Sequence, residues 1–106
     1  MRPGAAHMAN YEWDARKEQI NLRKHHFDFT TATLIWDGPV IEKIDDRRQY
    51  GGTRIIAAGE VSGCIIVVVY TRRGRIRRII SARKANSREK SLFEEEIKRR
   101  RRTLPD

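Results

Sequence analysis

With a single cysteine, Cys64, the chain can form no internal disulfide, and it reads as a protein of a reducing compartment. Its longest apolar stretch, Cys64 to Tyr70, falls far short of the ~18 residues a membrane-spanning helix needs. Residues 1–10 lack the apolar segment of a secretory leader. No internal repeat is present, which excludes solenoids and propellers. No third histidine, cysteine or carboxylate stands at useful spacing from the His25–His26 pair, so neither a metal nor a cofactor is expected. What remains is one small cytoplasmic domain with no membrane partner. Residues 1–7 end in the His-Met of a common cloning junction and are expected to be vector-derived or disordered, with a single domain over 8–106. A chain of 106 residues buries roughly two-thirds of its unfolded surface, enough for one modest core.

Against these absences stands a focal excess of positive charge. Acidic and basic residues balance over residues 1–40 and again over 41–70, while residues 71–90 carry nine basic residues against one acidic. Eight of the nine net charges therefore lie in twenty residues. Charge placed in this way points to a polyanionic partner, nucleic acid or an acidic protein, or to a solvated basic face.

Local patterns predict the elements. "NYEW" (10–13) reads as a short strand, and Asp14 as the cap of a helix over 15–25 whose narrow apolar stripe holds Ala15, Ile20 and Leu22. Asp28 reads as a second cap, opening a weaker helix over 29–36 with Trp36 in the core. Strands follow at 40–46, 53–61, 64–71 and 75–81, with a loop at 47–52, a two-residue hairpin at Ser62–Gly63 and a tight turn at 72–74. "CIIVVVY" is apolar on both faces and belongs in a central strand. A last helix over 86–102 is capped by Asn86 or Ser87, with Glu89 or Lys90 completing the cap and Leu92, Phe93, Glu96 and Ile97 forming its apolar edge. The class is α+β, in the order β-α-α-β-β-β-β-α, with a twisted antiparallel sheet and helices packed on one face.

The last strand poses a problem. Strict alternation puts Ile76, Arg78, Ile80 and Ala82 on one face and Arg77, Ile79, Ser81 and Arg83 on the other. Arginine then shares both faces with core residues, and each such arginine needs an anionic partner or a route to water. One face is expected to meet the helices and the other to form an open basic surface.

Three separated blocks resemble the BrnT family: "YEWDARKEQINLRKHHFDFTTA" (11–32), "DDRRQYGGTRIIAAGEVSG" (45–63) and "VVVYTRRGRIRRIISARKANSRE" (67–89). The resemblance implies a type II toxin of RelE-like fold that acts as a ribonuclease and inhibits translation. It also implies a BrnA-like ribbon-helix-helix antitoxin as partner, through which alone the toxin would meet operator DNA. Two positions depart from the family pattern. His26 stands where glycine is usual, and Phe93 where a tyrosine is usual, so this chain does without that hydroxyl and the position reads as packing.

RNA can be cut without metal when its own 2′-hydroxyl attacks the adjacent phosphorus. The enzyme must align the groups, move two protons and stabilise the extra negative charge. Arginine suits the last task because its fork meets two phosphate oxygens and stays charged. Arg54, Arg78 and Arg83 are the candidates, with Arg77, Lys84 and Arg88 as outer nucleic-acid contacts. His25 is the candidate for proton transfer because imidazole titrates near neutrality, and Lys24 is its rival. The alternative for His25 and His26 is to end the first helix. Trp13 could stack on a base or pack between strand and helix. Asp14 reads as a cap, Glu60 as an exposed hairpin charge, and Tyr70 as packing with its hydroxyl hydrogen-bonded. The basic tail Lys98–Arg102 reads as auxiliary, its cations suited to a helix C-terminus. A non-catalytic nucleic-acid-binding module, and a protein whose patch only meets an acidic partner, are the competing functions.

Overall fold

Two aspartates start the helices of the N-terminal half. The carboxylate of Asp14 accepts from the backbone N–H groups of Arg16 and Lys17, and that of Asp28 accepts from Thr31 N–H. The computed structural model describes residues 5–8, 10–45 and 53–103. Its elements are β1 (Ala5–Met8), β2 (Tyr11–Asp14), α1 (Ala15–His25), α2 (Phe29–Ala32) running into a 3₁₀ turn (Thr33–Asp37), β3 (Ile41–Asp45), β4 (Arg54–Val61), β5 (Cys64–Arg73), β6 (Ile76–Lys84) and α3 (Ser87–Thr103). The expected loop at 47–52 lies outside the described residues.

All six strands form one sheet in the order β1-β2-β6-β5-β4-β3. From β3 to β6 it is the expected antiparallel meander, with Ser62 and Gly63 both at positive φ in the β4–β5 hairpin. The sheet is mixed, however, because β2 runs parallel to β6. The chain between them, through α1, α2 and strands β3 to β5, is the long connection that a parallel neighbour requires. Strand β1, antiparallel to β2, extends the sheet with Ala5–Met8, of which residues 5–7 fall in the segment that the cloning-junction reading sets apart from the 8–106 domain.

The core lies between this sheet and α1, α2 and the 3₁₀ turn. Phe29 and Ile35 are fully buried against Ala57, Ile66, Val68, Tyr70, Ile79 and Ala82. Gly59 permits this closeness: a Cβ there would lie 2.6 Å from Ile35 Cβ. The apolar stripe expected on α1 is not what the helix buries. Ile20 and Leu22 are exposed, and the one buried residue of α1 is Asn21. Helix α3 takes the other face. Its Phe93 is buried, and Leu92 and Phe93 line a groove with Ile41, Ile56, Ala58 and Val67, the strand residues that alternate with the core set. The two-sided apolar pattern of β5 is the reason: Ile66 and Val68 fill the core, while Val67 needs a second cover.

A register shift between Val69 and Tyr70 resolves the arginine problem of β6. Val68 pairs with Ala82 and Val69 with Ser81, but Tyr70 pairs with Ile79. One extra residue in β6 thus resets the alternation. Arg77, Ile79 and Ala82 come to share the core face, while Ile76, Arg78, Ser81 and Arg83 share the face covered by α3. Strict period-two reading had divided them otherwise.

Candidate functional site

On the α3 face, successive cross-strand partners form a transverse row of Asp45, Arg54, Thr71, Arg78 and Glu12. Arg78 pairs with Glu12 at 3.3 Å. Arg54 and Arg78 are two strands apart, or about 10 Å between backbones. Arg83 lies on the same face, five residues and roughly 16 Å further along β6. The structure therefore places Arg54, Arg78 and Arg83 on one face but not around one point.

Arg83 stands beside the 190 Å³ groove between α3 and the sheet, which is lined by Lys43, Glu89, Leu92 and Phe93 among others. Its guanidinium donates from Nη1 to Glu89 Oε1 at 2.7 Å and from Nη2 to Glu89 Oε2 at 2.8 Å, a two-pronged pair. Glu89 also closes the N-terminus of α3. It accepts from Asn86 N–H, and Asn86 Oδ1 accepts from Glu89 N–H in return. The Arg83 hydrogen bond, first of all, holds the Glu89 carboxyl down at about 2, with help from Asn86 N–H and the nearby charges of Arg83 and Lys43, while burial opposes. At the other end of α3, Arg100 donates to the Val40 carbonyl, so the basic tail is partly anchored.

Lys24 and His25 end α1, on the sheet face opposite the groove. His26 terminates the helix in the left-handed region, φ 65°, and its N–H bonds Leu22 O. The anchor of this turn is Asn21, whose carboxamide bonds both the carbonyl and the N–H of Ala82. His25 is half-buried one helical turn beyond Asn21 and on its side of the helix. Lys24 is exposed there. Lys84 and Arg88, both exposed, flank the same exit from β6.

Trp13 is 3% exposed, edge-on to Phe29, and donates to Glu18. Neither ring face is open to a base. Arg77 faces the helix side and lies 4.6 Å from the Trp36 ring centroid, with Tyr70 and Tyr11 around it. The expected hydrogen bond of Tyr70 goes to Glu42, and burial, before that bond, pushes the phenol pKa up. Arg77 thus closes the end of the core as much as it offers charge. Two residues of interest were missed in the sequence, Lys43 and Glu89 as groove residues. The signal for Glu89 was present but read only as a cap, and nothing local marks Lys43. Among the described residues no group of three or more histidine, cysteine or carboxylate side chains could hold a metal ion, and no helix is long and apolar enough to cross a membrane.

A small α+β domain with a basic sheet face, a groove beside it and a second helix-covered face defines the class: an RelE-like fold. A family model described as ribonuclease toxin, BrnT, of type II toxin-antitoxin system matches residues 13–89, most of the chain, and the chain belongs to that family. No curated protein matches it.

Proposed function

We propose that this protein is a metal-independent endoribonuclease that cleaves RNA by attack of the 2′-hydroxyl on the adjacent phosphorus, inhibiting translation from the cytoplasm. The observation that carries the reading is the two-pronged pairing of Arg83 with Glu89, a residue of the groove, with Arg54 and Arg78 on the same face of the sheet. Arg83 meets the scissile phosphate, and its planar fork suits the two equatorial oxygens as negative charge develops. Arg54 and Arg78 hold the strand further along the face, and Lys84 and Arg88 flank the exit. Proton transfer by His25, or by Lys24 beside it, requires the RNA to pass around the end of β6, because both residues end α1 on the opposite face of the sheet. Family membership in type II systems supports a cognate antitoxin, which we take to be a BrnA-like ribbon-helix-helix protein that carries the operator-binding function.

The test is cleavage of RNA in EDTA by the isolated protein, with end analysis, for the wild type and for His25→Ala, Arg83→Ala and Arg83→Lys. The expected products carry 2′,3′-cyclic phosphate, and both Arg83 variants lose cleavage while much RNA binding persists. Intact RNA with the wild type, or cleavage unchanged in every variant, overturns the reading. A pure binding module would instead lose only affinity and salt dependence in these variants.

A further inference from the structure

The Arg83 fork is occupied in the resting protein. We propose that the Glu89 carboxylate sits in the subsite of a substrate phosphate, and that Lys43 is a further phosphate-binding residue of that subsite. The proposal rests on the ribonuclease reading and names the part of the site that takes the phosphate.

Three features carry it. The two oxygens of Glu89 meet the two terminal nitrogens of Arg83 at 2.7 and 2.8 Å, the fork-to-fork geometry that arginine also uses for phosphate. Glu89 and Lys43 line the same groove, although Lys43 comes from β3 and has no sequence proximity to Arg83. Lys43 pairs with Ile56 on the α3 face, and its charge contributes to holding the Glu89 carboxyl low. A carboxylate paired with a guanidinium, in a groove that also carries an ammonium, marks a place built for an anion. It is also partly open, with the Arg83 and Glu89 side chains 40% and 31% exposed. A phosphate that enters displaces Glu89 from Arg83, and the apolar walls of Ile56, Val67 and Leu92 offer the adjoining nucleoside a dry surface. Glu89 then acts as an internal competitor that raises the threshold for RNA binding.

The experiment measures binding of a 2′-O-methyl oligonucleotide, which lacks the attacking hydroxyl, across a salt series. Wild type, Glu89→Gln and Lys43→Gln are compared. Glutamine keeps the reciprocal cap at the start of α3, so the helix is retained without the competing charge, and far-ultraviolet circular dichroism checks this. Glu89→Gln is expected to bind about two- to fivefold tighter, the scale of a partly exposed ion pair. Lys43→Gln is expected to bind more weakly, with the slope of log K against log salt reduced by about 0.7, one single-strand phosphate contact. Equal or weaker binding by Glu89→Gln, or an unchanged slope for Lys43→Gln, overturns the proposal. If the wild type cleaves RNA in EDTA while these shifts are missing, only the subsite assignment fails. If the wild type neither cleaves nor binds RNA, the ribonuclease reading and the subsite fall together.

Discussion

The carboxamide of Asn21 stands in for a strand beside Ala82. It donates to the Ala82 carbonyl at 2.8 Å, accepts from the Ala82 N–H at 3.1 Å and donates again to Phe27 O at 3.1 Å. Strand β2 pairs with β6 only as far as Ile79, and Asn21 satisfies the backbone groups that β2 does not reach. Asn21→Ala leaves those groups buried and unpaired, and a loss of about 2–4 kcal/mol is expected from urea unfolding. Asn21→Asp, which can accept but not donate, should rescue little of it.

The Arg83–Glu89 pair predicts a specific acid response. The Glu89 carboxyl titrates at about 2 in the folded protein, below its ordinary value of 4.5. A depressed carboxyl stabilises the fold fully above the unfolded value, and the effect fades as pH falls from about 4.5 towards 2. Discounted for solvent screening, the contribution is about 1–2 kcal/mol. Wild type and Glu89→Gln should therefore differ by that amount at neutral pH and converge near pH 2 in denaturant titrations.

His26 occupies a position where the backbone favours glycine. At φ 65° and ψ 22° its Cβ is strained, and a glycine would relieve this. His26→Gly should raise stability by about 0.5–1 kcal/mol despite the freer unfolded chain. His26→Ala, which keeps the Cβ, should give no gain. Thermal melts of the two variants distinguish relief of backbone strain from mere loss of the imidazole.

Gly59 is required by contact, not by its own φ. An added methyl would press on the Cβ of Ile35, which is fully buried and cannot yield as a flexible side-chain end would. Gly59→Ala should cost about 1–3 kcal/mol by chemical denaturation, the range for overpacked cores. An unchanged midpoint would show that the 3₁₀ turn can shift away from β4.

Local chemistry made much of this protein legible in advance. The caps at Asp14, Asp28 and Asn86, the Ser62–Gly63 hairpin and the two-sided apolar pattern of β5 each act within a few residues. They set the order of elements from β2 to α3 without help from the rest of the fold. The resemblance of three blocks to one family likewise required only the chain itself. Other features were not local. Sequence periodicity favoured Ile20 and Leu22 on the buried side of α1. The helix instead buries Asn21, because a polar amide was needed where β2 stops short of Ala82. Lys43 gained a place beside Glu89 only when β3 and α3 came to line one groove.

The arginines of β6 divide between these two kinds of information. The sequence determined that charge and core residues would alternate along one strand, but strict period two could not sort them cleanly. The register shift opposite Val69 and Tyr70 did, turning Ile79 and Ala82 into the core and leaving Arg78 and Arg83 on the face that carries the groove. Only pairing with β5 could decide this, because a bulge is a mismatch in count between two strands and neither strand contains it alone.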